Sequence, residues 1–258
     1  MSGKVIFFDI DGTILDHNKE IPLSTRDTIK KLKNHGHHVA IATGRAPFMF
    51  EDLRRELDIH SFVSFNGQYV VFEGEVIYEN PLKKETLEHL LQFADKENHP
   101  LVFMSEENMM STTGDHPLIE QSMGSLKVGQ PKQNRDYYLD RNIYQTLLFC
   151  EIGEEERYSD HYSELKLIRW HDVSADILPA NGSKAEGIKQ LAKRLNIQRE
   201  NIYAFGDGLN DLEMIEYVGT GVVMGNAVPS LKEVADFITK PVDEDGIRYG
   251  VEKLGLLK

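Results

Sequence analysis

A chain of 258 residues with 40% hydrophobic and 28% charged residues, 20 Gly and 9 Pro has the balance of a folded globular protein with a sizeable core, which excludes collagen-like, low-complexity and largely disordered chains. Lys plus Arg number 29 against 42 Asp plus Glu, a formal charge of −13 that opposes attraction to a phosphate backbone and excludes a general nucleic-acid binder. A single cysteine, Cys150, in the apolar run Leu147-Leu148-Phe149, permits no internal disulfide and no thiolate metal cluster; a buried bystander in a reducing compartment is expected. The apolar run before Asp9 is too short for a signal sequence, and no apolar stretch approaches membrane-spanning length, so the expectation is a soluble cytoplasmic protein without a membrane partner. The sequence assigns no oligomeric state.

Residues 5–8 form an apolar and aromatic run suited to a strand buried on both faces. Ser24 with Asp27 predicts a capping-box helix start, Ile29 and Leu32 its apolar stripe, and Gly36 its stop. A buried strand at 39–42 follows, then a helix opened by Pro47, then a strand at 62–65; this βαβαβ grammar predicts a parallel sheet. Residues 69–78 read as two antiparallel strands hinged at Glu73-Gly74. Between 81 and 182 the texture changes to a helix at 85–96, strands at 101–104, 143–149 and 165–170, and a stretch from 105 to 140 without a clear period. After Ser183 the first grammar returns: a helix to Leu195, a strand at 202–205, a helix from Asp211, a strand at 221–224 and a helix from about Ser230. The fold class expected is α/β, a doubly wound parallel sheet of residues 1–80 and 183–258, interrupted by an inserted α/β domain at 81–182.

In such sheets ligands lie beyond the carboxyl ends of the strands, and four places there carry unusual polar residues. Asp9-Ile10-Asp11-Gly12-Thr13 follows the first strand; carboxylates two apart in extended chain point the same way, and a divalent cation, Mg²⁺ above all, would relieve their repulsion. Taken alone, the segment also fits an acidic turn. Thr43-Gly44-Arg45 ends the second strand with a hydroxyl, a small residue and a guanidinium suited to phosphate, or with an ordinary helix cap. Lys184 shares the apolar stripe of Ile188, Leu191 and Leu195 at a helix N-terminus, where a cation opposes the macrodipole and needs a carboxylate or phosphate nearby, unless it snorkels to solvent. Phe205-Gly206-Asp207-Gly208-Leu209-Asn210-Asp211 runs from a buried strand into an acidic loop, with Asp211 in line with Met214, Ile215 and Val218 and so facing inward. Their convergence suits phosphoryl transfer through an aspartate nucleophile.

At these residues the sequence resembles the haloacid dehalogenase-like hydrolase superfamily: 9–13 its first motif, Thr43 its second, Lys184 its third, and 206–211 its fourth. The insertion, with Asn66-Gly67 before it and Asn181-Gly182-Ser183-Lys184 after it, is similar to that of the Cof-type branch, whose α/β cap serves as lid and specificity element. The resemblance implies a Mg²⁺-dependent phosphatase acting on a small phosphorylated metabolite, sugar phosphates foremost. It implies Asp9 as nucleophile and Asp11 as general acid, then base. Asp9, the carbonyl of Asp11, and Asp207 would hold Mg²⁺; Ile10, Thr43, Gly44, Arg45, Lys184 and Asn210 would hold the phosphate; Asp211 would support Lys184 and the metal. Asp11 argues against a dehalogenase, which lacks this second acid. A phosphomutase of the same fold and a non-catalytic phosphate sensor stay as alternatives, and phosphonate cleavage would need a cap lysine such as Lys83, Lys84 or Lys127. His35, His37 and His38 are expected in solvent or capping a helix, the tyrosines of the insertion and Trp170 in packing, and Glu154-Glu155-Glu156 at a solvated helix start.

Overall fold

The computed structural model describes residues 3–126 and 128–258. They divide into two compact units, one of residues 3–45, 50–79 and 183–258 and the other of residues 46–49, 80–126 and 128–182. The first unit opens with β1 (Val5–Phe8), α1 (Leu23–Asn34), β2 (His38–Ala42), α2 (Glu51–Leu57), β3 (Phe62–Ser64), β4 (Tyr69–Phe72) and β5 (Glu75–Glu79). The second contains α3 (Lys84–Glu97), β6 (Leu101–Met104), β7 (Met109–Ser111), α4 (Pro117–Ser125), α5 (Tyr137–Asp140), β8 (Gln145–Phe149), α6 (Glu156–His161), β9 (Leu165–His171) and β10 (Ser174–Pro179). The chain then returns to the first with α7 (Lys184–Leu195), β11 (Ile202–Gly206), α8 (Leu212–Tyr217), β12 (Thr220–Val223), α9 (Pro229–Lys232), β13 (Phe237–Ile238) and α10 (Gly246–Lys253).

The first unit is built on a sheet ordered β13-β12-β11-β1-β2-β3-β4-β5, parallel from β13 to β3, with the hairpin β4-β5 antiparallel at one edge. Its central strands carry apolar residues on both faces. Phe7, Ala40, Val63 and Ala204 join Ile188 and Leu191 of α7 and Met214 and Ile215 of α8 in one core. α7 comes unusually close to the sheet at Gly187, where a Cβ would lie 2.4 Å from Val63 Cγ1. This contact fixes the height at which the first turn of α7, and Lys184 on it, meets the strand ends.

Several local expectations are corrected. The capping box at Ser24 does not form: α1 starts at Leu23, two residues earlier than a Ser24 cap would place it, Pro22 is its cap, and the Pro22 carbonyl accepts from the amides of Thr25 and Arg26. Proline's fixed φ presets the entry, so no side-chain cap is needed, and Ser24 Oγ is buried without a hydrogen-bond partner. β3 stops at Ser64 because Phe65 and Asn66 turn left-handed, at φ 50° and 51°. Residues 209–211 form a 3₁₀ turn before α8, the helix near Ser230 is the single turn α9, and β13 and α10 follow where no element was predicted.

The second unit has an antiparallel sheet ordered β7-β6-β8-β10-β9. Helices α3 and α5 cover one face through Leu87, Leu90, Leu91 and Tyr138, packed on Leu101, Phe103, Leu148 and Ile177. The unreadable stretch resolves into the three-residue β7, α4 and the single turn α5, elements too short to display a period. Cys150 is buried, as expected. The acidic run is not merely solvated: Glu155 takes a bidentate ion pair from the guanidinium of Arg169, and Glu154 accepts from His99, whose other ring nitrogen meets the Tyr158 hydroxyl. Lys84 donates to the Leu139 carbonyl, and Lys127 lies outside the described residues. Among the described residues no helix is long and apolar enough to cross a membrane.

The α7 contact makes a testable case. Adding one methyl at Gly187 overpacks the helix against Val63, so Gly187→Ala is expected to lower unfolding free energy by about 1–3 kcal/mol. Urea denaturation checks this, and wild-type stability would mean that α7 can back away from the sheet.

Candidate active site

The parallel strands deliver their polar residues to one edge of the sheet. Asp9 follows β1, Thr43 follows β2, Asp207 follows β11, and the first turn of α7 brings Lys184. Lys184 is buried, and its ammonium bridges Asp9 Oδ1 at 2.5 Å and Asp211 Oδ1 at 2.6 Å. The alternative of snorkelling is therefore gone. Ser183 caps the helix by accepting from the amide of Glu186, and the two carboxylates offset the unfavourable position of a cation at a helix N-terminus.

Asp211 accepts three hydrogen bonds. Its Oδ2 accepts from the amides of Asp207 and Gly208, each at 2.9 Å, while Oδ1 takes Lys184. Asp207 is held differently: Oδ1 accepts from the Thr13 hydroxyl at 3.0 Å, and the Asn226 amide stands 3.4 Å from Oδ2. Gly12 makes this approach possible, since at φ +78° a Cβ would sit 2.1 Å from Asp207 Oδ2. Asn226 ties the same turn down by donating to the Gly12 carbonyl.

Carboxylate oxygens of Asp9, Asp207 and Asp211 lie within 4.8 Å of one another. Three carboxylates against one ammonium leave two negative charges uncompensated, and this shows in their proton affinities. Burial, with Asp211 and Asp11 adding and Thr13 and Lys184 opposing, pushes Asp207 up to about 7. Asp9 is pushed well above the usual carboxylate range by burial first, then by Asp211, Asp207 and Asp11, against the pull of Lys184. Lys184 itself is held above the usual range: burial pulls it down, but Asp211 and Asp9 outweigh that. Two carboxylates in excess of their counter-charge fit a divalent cation, and Asp9 and Asp207, whose side chains carry fewer hydrogen bonds than that of Asp211, could hold one.

Asp11 points elsewhere than into this cluster. The Arg45 guanidinium grips its carboxylate with Nε at 2.8 Å and Nη2 at 2.7 Å, and Lys19 Nζ adds a third contact at 2.6 Å. Burial alone would raise Asp11, but these two cations hold it below the usual carboxylate range. Thr43 is buried, its hydroxyl accepts from the Arg45 amide, and its carbonyl accepts from the Asn66 amide. Ile10 brings no side chain: it is fully buried and its carbonyl accepts from Leu15, so its backbone N–H is what it can offer. Asn210 Nδ2 donates to Asn66 Oδ1 at 3.1 Å. All ten residues expected at the site lie in the first unit; Lys184, Asp9, Asp207 and Asp211 converge, Asp11 turns to Arg45 and Lys19, and Asn66 joins Gly44 to Asn210. The Arg45 fork is spent on Asp11. Sequence reasoning missed Thr13, Lys19, Asn66 and Asn226. Thr13 and Asn66 sat inside quoted motifs; Lys19 and Asn226 carry no local signal.

Strand-end carboxylates around a buried lysine are the arrangement expected of a haloacid dehalogenase-like hydrolase. The family profile of haloacid dehalogenase-like hydrolases matches residues 6–251, and the chain belongs to this family. It is 57% identical over the full length of both chains to YkrA of Bacillus subtilis (strain 168), which carries the name of a phosphatase. It is 29% identical, over 94% of each chain, to YitU of the same organism, named a 5-amino-6-(5-phospho-D-ribitylamino)uracil phosphatase. Among solved structures it is similar to the HAD subclass IIB sugar phosphatase BT4131, with a TM-score of 0.87 and 28% identity over 98% of this chain and 99% of that one. The chain is thus a HAD-type phosphatase by family.

A carboxyl whose pKa is raised on folding contributes stability that is complete below the ordinary range near 4 and is lost as pH rises through the raised value, about 7 for Asp207. Metal-free protein is therefore expected to lose melting temperature between pH 5 and pH 8. Asp176, buried in the second unit and pushed up to about 8, adds to that slope but has no part in the cation site. Mg²⁺ should raise the melting temperature more at pH 8 than at pH 5, and Asp207→Asn should remove most of the Mg²⁺ effect. An equal Mg²⁺ increment at both pH values, undiminished in the variant, would take Asp207 out of the site.

Proposed function

We propose that the protein is a cytoplasmic, Mg²⁺-dependent phosphomonoesterase that hydrolyses a small phosphorylated metabolite, sugar phosphates foremost, through an aspartyl-phosphate on Asp9. The observation that carries this reading is the buried Lys184 ammonium shared by Asp9 and Asp211 at the carboxyl end of the parallel sheet. Asp9, Asp207 and the backbone carbonyl of Asp11 are the groups assigned to Mg²⁺, which when bound supplies positive charge for the carboxylates and phosphoryl oxygens.

A carboxylate oxygen of Asp9 attacks phosphorus in line, the P–O bond to the leaving alcohol breaks, and Asp11 gives that oxygen its proton. Water then attacks the phosphorus, its proton passes to Asp11, and inorganic phosphate leaves with Asp9 restored. Lys184, the Thr43 hydroxyl and the backbone N–H groups of Ile10 and Gly44 hold the transferring oxygens, with Asn210 beside them; the Arg45 amide is already given to the Thr43 hydroxyl. Arg45 and Lys19 hold Asp11 in the ionised form that water activation needs. Protonating the leaving alcohol requires this grip to loosen when substrate arrives.

Residues 1–80 and 183–258 are assigned to the chemistry and residues 81–182 to the choice of substrate. The named activities of BT4131 and YitU favour a polyhydroxylated leaving group, a sugar or a ribityl chain.

The test is phosphate release from a panel of sugar, nucleotide, cofactor and aryl phosphates, with Mg²⁺ and with chelator. Asp9→Asn is expected to lower kcat by roughly 10³-fold or more while the melting temperature stays near that of wild type. Turnover that persists in chelator, or in Asp9→Asn, would overturn the reading. Transfer of phosphate back to substrate without net release would point to the mutase.

A further inference from the structure

Three successive residues, Phe65, Asn66 and Gly67, have φ of 50°, 51° and 100°. A left-handed aromatic followed by a left-handed asparagine is a conformation that local preferences resist, and such strain persists where surrounding structure over-determines it. Here the surroundings are the site itself. The Phe65 amide donates to the Arg45 carbonyl at 3.2 Å and the Asn66 amide to the Thr43 carbonyl at 3.0 Å, so the turn is stitched to the loop after β2. Gly67 lies on the start of α7, where a Cβ would fall 1.9 Å from the Ser183 carbonyl oxygen. The turn therefore touches two of the segments that carry the proposed phosphate contacts.

The buried Asn66 side chain reaches a third. Its Oδ1 accepts from Asn210 Nδ2 at 3.1 Å. Its amide also covers Gly44, where a Cβ would stand 3.0 Å from Nδ2 and 3.1 Å from Oδ1. One side chain thus sets the distance between the Thr43-Gly44-Arg45 loop and the Asn210 loop, and its backbone is stitched to the former while the glycine beside it rests on α7.

We propose that Asn66 is a positioning residue for phosphate: held left-handed in the Phe65-Asn66-Gly67 turn, it fixes the orientation of the Asn210 amide and the position of the backbone donor at Gly44. The inference rests on the phosphatase reading, since it assigns these groups to the transferring phosphoryl oxygens. Asparagine meets both demands at once, because it tolerates a left-handed backbone and carries an amide that can accept from Asn210.

Two substitutions separate the demands. Asn66→Gly keeps the backbone free to stay left-handed and deletes the amide; Asn66→Ala deletes the amide and resists the conformation. With Mg²⁺ present, both are expected to lower kcat/KM by at least tenfold. Both should also weaken the inhibition constant of inorganic phosphate and the rise in melting temperature that inorganic phosphate produces. Asn66→Ala alone should lose melting temperature in the absence of phosphate. Asn66→Gly with wild-type kcat/KM and a wild-type response to phosphate would overturn the proposal, and so would loss of activity that merely tracks loss of melting temperature across the pair. Wild-type protein that neither turns over phosphate esters nor responds to phosphate would instead remove the phosphatase reading, and this one with it.

Discussion

The site depends on one buried ammonium. Removing Lys184 would leave Asp9 and Asp211 facing each other in a region from which water is excluded, with Asp207 beside them. Desolvating even one unpaired carboxylate costs several kcal/mol, so the cluster exists only because the lysine is there. The lysine is in turn held by its helix. It lies on the inner stripe of α7, the same stripe whose Ile188 and Leu191 pack into the core of the sheet, so the burial that stabilises the fold also carries the charge to the strand ends. Fold and chemistry share one helix face.

Small residues set the tolerances of this arrangement. At Gly187 the helix backbone comes within a methyl group's reach of Val63, and at Gly12 the turn after β1 leaves room for an Asp207 oxygen. Each contact places a charged group by the absence of a side chain rather than by a hydrogen bond. The buried carboxylate of Asp211 then completes the frame, because its two backbone amide contacts lock the loop that carries Asp207. The proposed cation would fall to Asp9 and Asp207, which share with Asp211 the charge of a single ammonium.

Much of this was legible before any coordinates. The runs at 5–8, 39–42 and 202–205 read as buried parallel strands because both of their faces are covered, and the helical period put Lys184 and Asp211 on inward stripes. What was not legible followed from interactions that leave no periodic trace. The strand β10 was hidden because a buried acid, Asp176, interrupts its apolar pattern. The α1 capping box failed because a proline two residues before Ser24 already set the entry angle. Arg45 reads from its residue type as a phosphate ligand, yet its fork closes on Asp11; composition names the chemistry a group can do but not which of two anions it faces.

That contrast divides the charges into two sets. In the inner set Lys184 and Asp211 are completely buried and Asp9 is 9% exposed at its side chain, so breaking a pair there exposes an uncompensated charge to a region of low polarity. In the outer set Asp11 is 38% exposed, Lys19 34% and Arg45 19%, so water can replace a lost partner and each contact is worth about 1 kcal/mol or less. Phosphoryl transfer by the proposed route asks one carboxyl to stay fixed as nucleophile and another to give up and take back a proton. The fixed role falls to the aspartate whose pairing is costly to disturb, and the changing role to the aspartate whose partners can let go.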